Sequence, residues 1–142
     1  MHHQGDVPEV SIDSAVYGSY HVVFPLCFHN GQRRAIKIPI DGVKERWSEL
    51  SKSALTSEAE TIRLLRRETA IPIPEVYDFS ATTYNPLHCT YIIKPFVTGT
   101  RLYDVWFGHR LKGISLEDNH RHRVRALTDI AFAMAQLGKF SL

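Results

Sequence analysis

The sequence predicts an α+β fold: an antiparallel sheet of about five strands carrying one main helix, followed by further helices. Three observations carry that expectation. Tyr20, Val22, Phe24, Leu26 and Phe28 recur at every second residue and lead into Asn30-Gly31, the two-residue period of a sheet running into a hairpin signal. Leu55, Glu58, Ala59, Ile62 and Leu65 then fall at helical spacing, and so do Val124, Leu127, Ile130, Ala131, Met134 and Leu137 near the end of the chain.

Residues 1–14 are polar, contain Pro8 and show no period, so they read as a loose lead-in. Strand character begins at Val16. Pro25 has no N–H to give a ladder, and its place in the first strand argues for a sheet edge or a bulge there. Both Asn30 and Gly31 tolerate positive φ, which suits a two-residue hairpin loop. Ala35-Ile36-Lys37-Ile38 makes the returning strand, ended by Pro39. In the main helix, Ser57 with Glu60 three residues later has the form of a capping box, with Ser53 as an earlier start. Ile71-Pro72-Ile73-Pro74 stops this helix, because two prolines force extended backbone. Residues 75–79 and 90–97 read as strands joined by a polar loop, and Thr98-Gly99-Thr100 is a break before a short aromatic segment at 102–107. Ser115 is placed to cap the last helix and Gly138 to end it.

Length and composition bound the function classes. With 142 residues, 44% of them hydrophobic and 23% charged, the chain is of globular type and is neither collagen-like, disulfide-scaffolded nor wholly disordered. No apolar run reaches the roughly 20 residues of a membrane span. The start lacks the charged and apolar regions of a signal peptide, so a cytoplasmic location is expected. A net charge of +2 does not by itself imply a nucleic-acid partner. Cys27 and Cys89 are far apart in sequence, which fits a reducing compartment and two buried thiols.

Several constellations are candidates for chemistry. Gly18-Ser19 precedes a hairpin whose second strand carries Lys37. A glycine at a strand bend lets backbone N–H groups approach phosphate oxygens, and an inward lysine adds a point charge to them. Lys37 lies in an otherwise apolar strand, so it either points outward on the alternate face or has a partner. A carboxylate on the following helix would hold it. Glu58 shares the apolar face of that helix, whereas Glu60 has a competing use as a cap; Glu58 is favoured and Glu60 stays open. Residues 91–99, running from a strand into a glycine break, can offer main-chain groups to a flat heterocycle. His109, His120 and His122 sit among arginines, but residues two apart on a helix do not face each other, so no metal site is expected. The basic region from Arg101 to Arg125 reads as a solvated helix face, with weak binding of an anionic polymer as the competing use.

These segments together resemble the fungal branch of the aminoglycoside phosphotransferase-like family, relatives of the protein-kinase fold. The residues that carry the resemblance are GSYHVVF at 18–24, AIKIP at 35–39, SEAETI at 57–62, IPIPEVY at 71–77 and YIIKPFVTGTRLYDVW at 91–106. The resemblance implies a kinase-like nucleotide-binding lobe at 15–97, and a hinge exit with the opening helices of a truncated helical lobe at 98–142. It implies ATP as cofactor, with Gly18 and Ser19 in the phosphate-covering loop and Lys37 on the α/β phosphates. Glu58 would be the helix partner of Lys37, and the Lys94 carbonyl and Phe96 N–H would meet the adenine edge.

Lys94-Pro95 departs from the family pattern, which tends to an apolar residue and an acid there. No H-x-D-x-x-x-x-N segment occurs in the chain, so the catalytic and magnesium-holding residues that the family implies are not among these residues. The expectation is a partial phosphotransferase that binds nucleotide without turning it over alone, its small-molecule acceptor belonging to a complete form. A non-catalytic nucleotide-binding or protein-interaction module is the alternative. The apolar face of the last helix is expected to be exposed and to favour self-association.

Overall fold

The structure, a computed structural model, describes residues 9–107 and 113–140. These form two units. The first holds the described residues up to Arg67 together with Ile73–Phe96; the second holds Glu68–Pro72 and the described residues from Val97 onward.

The first unit is built on a six-stranded antiparallel sheet. Its strands are β1 (Val10–Ile12), β2 (Val16–Tyr17), β3 (His21–Phe28), β4 (Arg33–Pro39), β5 (Asp78–Ser80) and β6 (Tyr91–Pro95). The order across the sheet is β1-β3-β4-β6-β5, with β2 also pairing β3. β1 lies against residues 26–28 of β3 and β2 against residues 22–23, so the two form one edge line with a gap between them. The expected loose lead-in is therefore corrected at Val10–Ile12. A strand of three exposed residues has no readable period, and pairing with β3 is what makes it one.

Pro25 is buried in the middle of β3, which is an internal strand and not an edge. Its missing N–H is tolerated because it sits opposite the gap between β1 and β2, where its carbonyl accepts from Asp13 N–H at 3.0 Å. The β3–β4 hairpin also differs from the expected two-residue loop. Phe28 N–H donates to the Gln32 carbonyl and Gly31 N–H to the Phe28 carbonyl, so the three residues His29, Asn30 and Gly31 are enclosed between Phe28 and Gln32. Only Gly31 uses positive φ, at 80°, the type I turn plus bulge form of hairpin.

Helix α1 runs from Glu49 to Glu68. It begins eight residues before the expected capping box at Ser57, because Ser48 Oγ already accepts from Ser51 N–H at 3.1 Å. Glu60 is instead paired with Arg63 at 2.8 Å. Leu55 and Ala59 of α1 pack with Val76 and Ile92 as the buried core, flanked by Ile62, Phe79 and Ala81. Ile92 stands opposite Phe79 on one side and Lys37 on the other. Facing residues of paired strands share a sheet face, so α1 covers the face that carries Lys37.

The second unit contains α2 (Leu102–Phe107) and α3 (Leu116–Ala135). Ser115 caps α3 as expected, accepting from Asp118 N–H. Gly138 does not end it; α3 runs into a 3-10 turn at Gln136–Lys139 that contains this glycine. No helix among the described residues is long and apolar enough to cross a membrane.

Candidate functional site

Alternation along β4 and helical spacing along α1 bring one lysine and one glutamate together. Lys37 projects from the covered sheet face, and Glu58 from the same side of α1 as Leu55, Ala59 and Ile62. Lys37 Nζ donates to both Glu58 carboxylate oxygens, at 2.7 and 2.9 Å. The two side chains are 17% and 34% exposed, so the pair is shielded without being sealed. Two of the three ammonium hydrogens go to Glu58, and one donor remains for a ligand.

The β2–β3 turn holds Gly18 and Ser19. Gly18 N–H donates to the His21 carbonyl at 2.8 Å, which closes the turn tightly. In register, His21 faces Pro39 and Val23 faces Lys37, so this turn lies at the end of the sheet two residues from Lys37.

At β6 the structure differs from the arrangement that the resemblance implies. Phe96 N–H donates to the Arg33 carbonyl at 3.2 Å and is engaged within the sheet. Tyr77 N–H reaches the Ile93 carbonyl, so by alternation the main-chain groups of Lys94 turn the other way, toward β4. The two groups expected at an adenine edge thus both face β4. The Phe96 ring is covered as well, with the Arg33 guanidinium 4.0 Å from its centroid.

What β6 does bring to the site is the Lys94 side chain. Lys94 is opposite Ala35, on the same face as Ile92 and Lys37. Its ammonium lies 3.9 Å from Glu58 Oε1, the oxygen that Lys37 holds at 2.7 Å. Burial, and then the Lys37 charge, push its pKa below the ordinary lysine value, with Glu58 opposing. The resemblance engages only this residue's backbone. The available signal was its parity with the apolar Ile92 two residues earlier.

Other candidates are not gathered here. A pocket along α1, lined by Ser57, Thr61 and Leu64 among others, opens on the helix face away from Glu58. Cys89 is buried but Cys27 only half-buried, which corrects the expected pair of buried thiols. Cys27 Sγ lies 3.3 Å from Asp13 Oδ2, which also binds Arg33. Among the described residues no three His, Cys, Asp or Glu side chains are grouped to hold a metal ion. His109 lies outside the described residues. In the basic region Arg101 is paired with Asp104, Arg121 with Asp118 and Arg125 with Asp129, while Arg123 donates to the Trp106 carbonyl.

No protein-family model matches the chain. It is similar to the altered inheritance of mitochondria protein 9, mitochondrial, of Candida tropicalis, with 27% identity over 109 residues that cover 77% of this chain and 17% of the relative. It is also similar to a subtelomeric hrmA-associated cluster protein of Aspergillus fumigatus, present in two strains, with 32% identity over 91 residues covering 63% of this chain and 16% of the relative. The chain thus spans 16–17% of the length of the curated relatives it matches.

Proposed function

We propose that the sheet-and-helix unit binds the phosphates of ATP, as the nucleotide lobe of a kinase-like phosphotransferase resembling the aminoglycoside phosphotransferase family. The observation that carries this reading is the Lys37–Glu58 pair on the helix-covered face of an antiparallel sheet. A carboxylate that fixes a lysine ammonium in place while leaving one N–H free makes a fixed phosphate-binding point charge. The turn at Gly18-Ser19 lies at the same end of the sheet; its Gly18 N–H is committed to the His21 carbonyl, so the backbone it leaves for a phosphate is that of Ser19. When bound, ATP supplies the phosphoryl group; the residues present here hold and orient it. Transfer to a small hydroxylated acceptor is proposed of a longer protein, since these residues include no H-x-D-x-x-x-x-N segment.

That same feature favours a second reading, a module that binds nucleotide without transferring phosphate. A complete relative that hydrolyses or transfers the γ-phosphate would exclude it. The anionic-polymer reading is weakened by the acidic partners of Arg101, Arg121 and Arg125.

The test is calorimetric titration of the 142-residue chain with ATP. Weak binding is expected in the wild type, and Lys37→Ala should remove it, because charge-assisted hydrogen bonds carry such contacts. Equal affinity in the wild type and Lys37→Ala would overturn the role given to Lys37.

A further inference from the structure

The geometry points to the Lys94 ammonium as a second phosphate-binding group, acting beside Lys37 on one polyphosphate chain. This inference rests on the nucleotide reading above and deepens it. Lys37, Glu58 and Lys94 come from three different elements and meet on one covered face, two cations against one anion. The lone carboxylate is committed, because both its oxygens accept from Lys37. Lys94 is therefore left at 3.9 Å from Glu58 Oε1, beyond hydrogen-bond distance, with a side chain only 25% exposed. Fully buried lysines are almost always paired, and this partly buried one has only the distant Glu58 oxygen, with no hydrogen bond to it. An ammonium has three donors to satisfy, and none of them has a hydrogen-bond acceptor among the described residues.

The cluster carries one positive charge in excess, so a phosphate oxygen entering beside Lys37 would supply what Lys94 lacks. It would also relieve the repulsion between the two ammonium groups, which an uncharged ligand cannot do. The physical alternative is a side chain whose aliphatic stem merely packs against the sheet. That role would leave phosphate affinity indifferent to the terminal charge.

Binding of inorganic tripolyphosphate, ATP and adenosine to the full chain separates these possibilities. Lys94→Met should weaken tripolyphosphate and ATP about tenfold or more, as expected for a hydrogen bond to a charged group, and leave adenosine unchanged. Lys94→Arg should keep most of the affinity. Thermal unfolding should show Lys94→Met no less stable than the wild type; if it fails to fold, Lys94→Gln is read in its place. Unchanged tripolyphosphate and ATP affinity in the folded Met or Gln variant overturns the inference, and leaves the nucleotide reading standing on Lys37. Lys94-dependent tripolyphosphate binding with ATP no tighter supports the inference and counts against a nucleotide site. A wild type that binds neither tripolyphosphate nor ATP overturns both.

Discussion

Two lysines on one sheet face have opposite fates at Glu58: Lys37 takes both oxygens, and Lys94 is left with burial and a like charge. The stability consequence follows from proton linkage. Because the folded-state pKa of Lys94 is lowered, the unfolded chain binds more protons between that value and the ordinary lysine value of about 10.4. Stability contributed through this group therefore rises with pH across that window. Lys37 and Glu58, the charged groups facing it, remain in a Lys94→Met variant, so the difference between the two proteins isolates Lys94. In urea unfolding from neutral pH to about pH 10, the wild type should be the less stable at neutral pH and approach the variant as pH rises. A difference that does not change with pH would mean that Lys94 titrates as it does in water. The two cysteines give a second contrast at this scale. Burial raises the Cys89 thiol pKa, and burial with a raised pKa makes a thiol inert. Brief iodoacetamide treatment followed by mass spectrometry should modify Cys27 in the folded protein, and Cys89 only after denaturation.

At the level of elements, what was legible in the sequence depended on how far the deciding interaction lies along the chain. The stripe from Leu55 to Ile62 and the alternation in β3 are local, and they placed α1 and the central strands. The facing of Glu58 toward Lys37 followed from the same periodicity. The start of α1 differs from both expected starts because Ser48 takes the capping task, and Ser53 and Ser57 lie inside the helix. β1 was missed because its pairing with β3 is tertiary. The orientation of the β6 main chain is not legible locally, because the direction in which Lys94 and Phe96 turn depends on β4, about sixty residues earlier. Two glycines test the element geometry for different reasons. A methyl group at Gly31 meets nothing within 4 Å, so Gly31→Ala should cost about 1 kcal/mol from positive φ alone. At Gly42 a Cβ would stand 2.5 Å from Oγ1 of the buried Thr90. Gly42→Ala should cost about 1–3 kcal/mol through overpacking. Urea unfolding of both variants measures the contrast, and a Gly42→Ala protein as stable as the wild type would show that Thr90 has room to move.

At the scale of the molecule, the buried apolar side chains among the described residues belong to the first unit: Ile36, Leu55, Ala59, Val76, Cys89 and Ile92. Among the described residues of the second unit the only buried side chain is Asp104, held by Arg101. Helix α3 buries nothing and exposes Val124, Leu127, Ile130, Phe132 and Met134. A helix of this length draws most of its stability from packing an apolar face, and an unpacked one opens locally at little cost. Amide hydrogen exchange should therefore divide the chain, with the ladders of β3, β4 and β6 protected most and α3 exchanging fast at low protein concentration. The expected self-association gives the second arm of the experiment. If a second copy covers the apolar face, protection of α3 should rise with protein concentration while protection of β4 stays constant, and Leu127→Glu should abolish the rise. Protection of α3 equal to that of β4 at every concentration would mean that its apolar face is packed within a single chain, and the reading of α3 as an open face would fall.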